Sequence, residues 1–222
     1  MADKGVIIEF DFAAMDGATL LFDTAKKFFK NLDGIAFRLD EEARYFAGKD
    51  LLPAMTGFFA AVKTKKTAVK ATRDLKDAFS AALTEAVPNA VTVAFSNFVK
   101  ALVDAGVKVV IATRADVDKV APAFAGIVGE NVVLCKDQSS SYGFAKWDSW
   151  RRSCAAAELS RRSTIAITGS GYGVKAALIA GLGSVAVANE HVAYQDFGGA
   201  DAVLPELSGK TARKLLETMR IG

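Results

Sequence analysis

Two acidic side chains near the start of the chain have the spacing of a catalytic pair. The apolar run of residues 6–8 is typical of a buried strand, and Glu9 and Asp11 come directly after it. In open parallel α/β sheets ligands bind beyond the carboxyl ends of the strands, where carboxylates can attack a substrate or transfer a proton. Since side chains alternate along a strand, a spacing of two puts Glu9 and Asp11 on one side of the backbone. We therefore predict that both are catalytic.

Groups that can hold a phosphate occur at three other places in the chain. Thr113 and Arg114 follow the run VKVVIA, Lys146 precedes a helical pattern, and the loop TGSGYG of residues 168–173 joins a strand to a helix. A hydroxyl, basic side chains and a glycine-rich loop at a helix N-terminus can together bind phosphate. We therefore predict Thr113, Arg114 and Lys146 as phosphate-binding residues. Two alternatives stay open: Thr113 caps the following helix, and Lys146 is a solvated loop lysine.

Apolar runs alternate with helical patterns along most of the chain. The runs are typical of strands in a parallel sheet that is covered on both faces, and they span residues 6–10, 107–112, 132–135, 164–168 and 184–188. The helical patterns that separate or follow them span residues 92–105, 147–159, 173–180 and 209–219. This alternation predicts an α/β protein with a doubly wound parallel sheet.

One long segment interrupts the alternation. Helical patterns fill residues 17–86, and none of the runs in this segment has the pattern of a strand. We therefore predict two domains. The α/β core domain comprises residues 1–16 and 87–222, and a small all-helical cap domain of residues 17–86 is inserted after the first strand.

Composition and charge argue against several classes of function. Of the 222 residues, 51% are hydrophobic, and the net charge of +3 is too small to indicate binding to nucleic acid or to an anionic membrane. No run approaches the roughly 20 apolar residues of a membrane span, and the N-terminus lacks a signal-peptide layout. Cys135 and Cys154 are expected to be free thiols, and His191 is expected to be a surface or loop histidine. We expect a cytoplasmic protein without nucleic-acid or membrane partners, and the sequence names no protein partner.

Four segments, in this order, resemble the haloacid dehalogenase-like (HAD) superfamily, in its phosphatase and β-phosphoglucomutase-like branch. They are VIIEFDFAAMDG, VTVAFSNFVKALVDAGVKVVIATR, AKWDSWRRSCAAAEL and IAITGSGYGVKAALIAGLGSVAVAN. The resemblance covers nearly the whole chain. It implies a Rossmann-like core with a helical cap after the first strand, and activity on small phosphate esters.

The resemblance also implies roles for individual residues. The family attacks the phosphoryl group with the first Asp of a DxD motif and uses the second as general acid/base. Alignment on Asp16 puts Glu9 at the first position and Asp11 at the second. A rival register makes Asp11 the nucleophile and leaves Ala13 at the acid/base position. Phe12 stands where the family has a glycine, and Thr113 and Lys146 match the phosphate-binding hydroxyl and lysine.

The metal site implied by the resemblance is incomplete. The family holds Mg²⁺ with the nucleophile, with the backbone carbonyl of the second Asp and with an acid after the fourth strand. Here Glu9 and Asp11 would be the metal-binding residues, and the expected third acid is Gly169. Since Mg²⁺ depends on carboxylates to offset its dehydration, we predict a weak site: Mg²⁺ if the protein is active, and no cofactor otherwise.

These departures predict a degenerate HAD-type hydrolase, a pseudoenzyme whose catalysis is weak or lost. One alternative is an active Mg²⁺-dependent phosphatase or phosphomutase that acts on a small phosphorylated metabolite through Glu9 or Asp11. A second alternative is a non-catalytic module that binds a phosphorylated metabolite or a protein.

Overall fold

The computed structural model describes residues 4–220, in which six parallel strands form one sheet. The strands are β1 (Gly5–Glu9), β2 (Lys108–Thr113), β3 (Val132–Lys136), β4 (Thr164–Thr168), β5 (Gly183–Val187) and β6 (Ala202–Leu204). Their order across the sheet is β3-β2-β1-β4-β5-β6. This doubly wound, Rossmann-like topology confirms the predicted α/β fold.

The central position of β1 determines where the candidate site lies. Glu9 pairs with Ala112 of β2, and Ile8 pairs with Ile167 of β4. Because the three strands are parallel and in this register, their carboxyl ends meet at one edge of the sheet. Glu9, Thr113 and Thr168 are the last residues of the three strands, so they lie close together at that edge.

Helices cover both faces of the sheet. Their bounds in the core are α6 (Val93–Asp104), α7 (Val117–Val120), α8 (Trp147–Ala156), α9 (Gly171–Ala180) and α10 (Gly209–Arg220). Alternate residues of β1 point to opposite faces. Ile7 packs in the cluster that contains Trp150 of α8, whereas Val6 and Ile8 belong to the cluster that contains Phe98 of α6. Burial of both strand faces explains why these strands are apolar runs.

Helices also make up the segment that follows β1. A single turn, α1 (Phe10–Ala13), leads into α2 (Gly17–Asp33), α3 (Leu39–Glu41), a π-helical turn (Glu42–Phe46), α4 (Leu51–Val62) and α5 (Ala68–Ala90). Four phenylalanines pack between them with ring centroids 4.8–5.8 Å apart: Phe29, Phe37, Phe46 and Phe58. The structure assigns no strand within residues 17–86. The predicted division into a core and a cap domain stays a prediction.

Several element bounds differ from those predicted. The first strand ends at Glu9, because the chain turns into α1 at Phe10. The helix predicted for residues 147–159 ends at Ala156, and Glu158 follows it in the left-handed conformation with φ 55°. Strand β6 was not predicted; it has three residues and lies at the edge of the sheet.

Among residues 4–220, no single helix has the length and apolar composition of a membrane span. Helices α5 and α6 meet the criteria of length and apolar composition only when they are counted as one segment, and the chain bends by 80° between them.

Candidate active site

Glu9 is buried at the end of β1 and bonds to the neighbouring strand β4. The residue is 2% exposed, and its Oε2 accepts a hydrogen bond from the Thr168 hydroxyl. Its other oxygen, Oε1, is buried and has no hydrogen-bond partner among the described residues. Burial raises the pKa of Glu9 to about 8, although the Thr168 hydroxyl and the Arg114 charge act to lower it. Glu9 is therefore mostly a neutral acid at pH 7.

Asp11 lies in the turn after β1 and bonds to the end of β2. Its Oδ1 accepts a hydrogen bond of 2.5 Å from the Thr113 hydroxyl, and its Oδ2 accepts one of 2.7 Å from the Arg114 backbone N–H. Both Asp11 and Thr113 are 1% exposed or less. Burial raises the pKa of Asp11 to about 6, against the effect of both hydrogen bonds. At pH 7 Asp11 is therefore mostly a carboxylate that its two donors stabilise.

The two carboxyl groups bond to different neighbours. Strand alternation does not relate the two residues as expected, because β1 ends at Glu9 and Asp11 lies in the helical turn α1. That they face one substrate stays a prediction. Glu9 bonds toward β4 and Asp11 toward β2. Asp16, on which the motif was aligned, is the N-cap of α2 and accepts a hydrogen bond from Thr19 N.

Arg114 binds protein groups rather than an open site. Its guanidinium forms an ion pair with Asp137, with 3.0 Å between Nε and Oδ2, and donates to the carbonyls of Ser141 and Phe144. Burial acts to raise the pKa of Asp137, but the Arg114 charge and a hydrogen bond from Ser149 outweigh it, so the pKa is lowered. Arg114 and Asp137 therefore form a charged, buried pair at pH 7.

Lys146 contacts the helical segment instead of the buried carboxyl groups. Its Nζ lies 2.9 Å from Oδ2 of Asp50, which precedes α4. Next to this ion pair, residues Asp50 and Ser141 form an antiparallel bridge. Of the three predicted phosphate-binding residues, the structure thus brings Thr113 and Arg114 together around Asp11, while Lys146 joins the core to the segment before α4.

The residues at the strand ends do not fit Mg²⁺. A side chain at position 169 would overlap the backbone carbonyl of Phe12, which packs directly on Gly169. Gly17 packs in the same way on the carbonyl of Asp11, the group that the family resemblance implies as a metal ligand. Within residues 4–220, no three His, Cys, Asp or Glu side chains are arranged to hold a metal ion.

A pocket of about 230 Å³ lies beside the buried pair, between the helices after β1 and the loop after β3. We call it the cap–core pocket. Its lining residues are Leu21, Leu51, Leu75, Lys76, Asp77, Phe79, Ser80, Arg114, Lys136, Asp137, Gln138, Ser139 and Ser141. The sequence analysis missed Lys136 and Asp137. Both could have been found, because they end β3 and follow it, where the rule of polar residues at strand ends also applies.

A second buried cluster joins the π-helical turn to two core loops. The Tyr142 hydroxyl donates to Oε1 of Glu42 at 2.6 Å, and His191 Nε2 lies 2.9 Å from Oε2 of the same carboxylate. The hydrogen bond with Glu42 raises the pKa of His191. His191 lies half-buried in this cluster, in a short turn (Glu190–Val192) between β5 and β6.

Comparison with known proteins finds similarity in solved structures alone. No family model and no curated protein matches the chain. A β-phosphoglucomutase from Clostridium difficile superimposes with a TM-score of 0.68 at 12% identity, and the match covers 100% of this chain and 98% of that one. CbbY from Rhodobacter sphaeroides, solved in complex with phosphate, gives a TM-score of 0.66 at 16% identity, with 92% and 95% covered. A family IA HAD hydrolase from Entamoeba histolytica gives 0.69 at 13% identity, with 99% and 100% covered.

These structures share the parallel sheet and extend over nearly the whole chain, while identities below 25% establish the fold alone. The fold of the chain is therefore that of the haloacid dehalogenase-like phosphatases and β-phosphoglucomutases, which confirms the resemblance read from the sequence motifs.

Proposed function

We propose that this protein is a non-catalytic member of its fold group, which binds a small molecule in the cap–core pocket and does not perform Mg²⁺-dependent phosphoryl transfer. The observation that carries the proposal is the packing of the Phe12 carbonyl on Gly169. A metal-binding acid at position 169 would need the space that this carbonyl occupies. The cytoplasmic location and the lack of nucleic-acid and membrane partners stay predictions from the sequence.

The hydrogen bonds of Asp11 support the proposal independently. The Thr113 hydroxyl matches the phosphate-binding hydroxyl of the family, and both it and the adjacent Arg114 N–H donate to the Asp11 carboxylate. A phosphate that used these donors would have to displace a buried carboxylate. That displacement would leave the carboxylate without its hydrogen bonds, which is strongly unfavourable in a buried position.

The protonation of Glu9 is a third support. A nucleophilic carboxyl group must be ionised, since the attacking oxygen needs a free electron pair and the charge that activates it. With a pKa of about 8, about nine tenths of the Glu9 side chains are neutral at pH 7. Burial favours this neutral form, and its effect on the pKa exceeds the opposing effects of the Thr168 hydroxyl and the Arg114 charge.

The proposal is tested by Mg²⁺-dependent hydrolysis of an aryl phosphate and a panel of sugar phosphates. The matched control is Glu9→Gln, which keeps the shape of the side chain and removes its ability to ionise. We expect the wild-type protein and Glu9→Gln to give the same background rate, with and without Mg²⁺. A Mg²⁺-dependent wild-type rate that is lost in Glu9→Gln would overturn the proposal.

A second candidate function is hydrolysis of a phosphate ester through Glu9 or Asp11. The observation that favours it is the pair of neighbouring carboxyl groups with pKa values raised to about 8 and about 6, since paired acids with separated pKa values occur in active sites. The same assay, with Asp11→Asn added to Glu9→Gln, decides between the two functions. A rate that depends on either residue would support hydrolysis.

A further inference from the structure

We infer that the cap–core pocket takes a small apolar molecule with a single negative charge, of the size of one substituted ring, rather than a phosphorylated metabolite. This inference rests on the proposed binding function and adds the chemical class of the ligand. It follows from three features of the pocket: the basic side chains that are already paired, the apolar wall, and one free ammonium group.

Arg114 is a buried basic group of the pocket lining, and each of its three guanidinium nitrogens already donates to the protein. Its Nε pairs with Asp137, and its two terminal nitrogens donate to the carbonyls of Ser141 and Phe144. A dianionic phosphate that paired with this guanidinium in place of Asp137 would leave Asp137, which is itself buried, without its partner. Breaking a buried ion pair and leaving one partner uncompensated is strongly unfavourable.

Lys136 is paired as well. Its Nζ donates to the carbonyl of Arg114 at 2.8 Å and to that of Ala115 at 2.6 Å, and it lies 3.5 Å from the Ser80 hydroxyl. These contacts use the three donor positions of an ammonium group. The pocket therefore has two cations that serve the protein's own acceptors.

The opposite wall of the pocket is apolar. Four side chains from α2, α4 and α5 form it: Leu21, Leu51, Leu75 and Phe79. The volume of about 230 Å³ exceeds the roughly 150 Å³ that holds one benzene molecule in an engineered protein cavity. A ring with a short substituent fits this space, and burying its apolar surface against the four side chains favours binding.

The ammonium group of Lys76 can pair with a single negative charge on the ligand. It lies on α5 at the pocket, is half-buried, and has no hydrogen bond or ion pair with any described residue. Counting Lys76, the lining has three basic side chains and two acidic ones, Asp77 and Asp137, which leaves one positive charge in excess. This balance suits a monoanion such as a carboxylate.

The test is calorimetric titration with three probes that share one ring, at about pH 8. Phenylacetate is a monoanion, benzylphosphonate is mostly a dianion, and 2-phenylethanol is neutral. We expect phenylacetate to bind at least tenfold more tightly than the other two. The phosphonate cannot be hydrolysed, so its binding is measured independently of any phosphatase activity.

Two charge reversals on α5 locate the site. Lys76→Glu should weaken phenylacetate binding by about tenfold or more, whereas Lys70→Glu, an exposed lysine on the same helix outside the pocket, should leave it unchanged. Methyl NMR signals of Leu21, Leu51 and Leu75 should shift as the site fills. Tighter binding of the phosphonate, an equal effect of both reversals, or no phenylacetate binding at 10 mM would overturn the inference. None of these binding outcomes bears on catalysis, for which the proposed function is overturned by a Mg²⁺-dependent rate that is lost in Glu9→Gln.

Discussion

Substitution of Gly169 tests the geometry on which the proposed loss of metal binding depends. In the structure, a methyl group added at this position would overlap the backbone carbonyl of Phe12 and would lie 2.9 Å from the Phe12 β-carbon. Carbon atoms in contact need about 3.5 Å, so even this second contact must open by roughly half an ångström. The overlapping atom is backbone, so a change of rotamer cannot relieve the overlap. Gly169→Ala must therefore move the turn α1 away from β4.

The cost of this movement follows from what the turn holds in place. Overpacking a well-packed core costs typically 1–3 kcal/mol, and more where backbone has to shift. The turn carries Phe12, which is 4% exposed and packs on Phe79 with ring centroids 6.1 Å apart. It also carries Asp11, whose two hydrogen bonds would be strained. We expect Gly169→Ala to lower the free energy of unfolding by about 3 kcal/mol, a fall in Tm of about 6–12 °C for a chain of this size.

Urea unfolding followed by circular dichroism measures this loss. Gly126→Ala is the matched control, because a methyl group there meets no atom within 4 Å. The control should stay within about 0.5 kcal/mol of the wild-type protein. If Gly169→Ala is as stable as Gly126→Ala, the carbonyl does not fill the space of a side chain, and the argument against an acid at this position fails.

The buried carboxyl groups and the ion pair between Lys146 and Asp50 each predict a measurable change on mutation. Burial raises the Glu9 pKa from 4.5 to about 8, so the contribution of Glu9 to stability is complete below about pH 4.5 and is lost as the pH rises toward 8. Glu9→Gln should therefore flatten the decline in the free energy of unfolding between these two pH values. Identical pH profiles of the variant and the wild-type protein would contradict this. Thr113→Val removes the hydroxyl that donates to Asp11, so it should cost about 1–3 kcal/mol in urea unfolding. It should also raise the Asp11 pKa further in an NMR titration, and an unshifted pKa would show that the hydroxyl does not hold the carboxylate. The Lys146 and Asp50 side chains are 28% and 40% exposed, so water weakens their ion pair. A double-mutant cycle with Lys146→Met and Asp50→Asn should therefore give a coupling energy of about 0.5 kcal/mol. A coupling energy above about 2 kcal/mol would mean that the pair behaves as a buried one.

The sheet could be predicted because its strands are buried on both faces. Such strands are nearly continuous apolar runs in the sequence. Strand β4, for example, begins and ends at the same residues as the predicted run 164–168. Strand β6 lacked this signal. It has three residues, and Val203 in its middle is exposed at the edge of the sheet, so no apolar run marks it.

The partners of the site residues could not be predicted in the same way. The sequence indicates which residues could act in a site. Their side-chain contacts, however, join positions that are far apart in the chain, and no local sequence pattern connects such positions. Lys146 pairs with Asp50, and Glu42 bonds to both Tyr142 and His191, across segments about 100 residues or more apart. Only the folded chain brings these segments together.

The sequence departures at Glu9, Phe12 and Gly169 are connected through the turn α1. Phe12 is anchored by its ring, which packs on Phe79 and lies 5.4 Å from the Arg114 guanidinium. With the ring in that position the Phe12 carbonyl packs on residue 169, which must then be a glycine. The same turn removes Asp11 from the path of the strand and directs its carboxylate to the donors at the end of β2. Glu9 is left buried with Thr168 and neutral at pH 7. Restoring an aspartate at position 9 or 169 alone would therefore not restore a metal site, because the turn that carries Phe12 and Asp11 would still fill it.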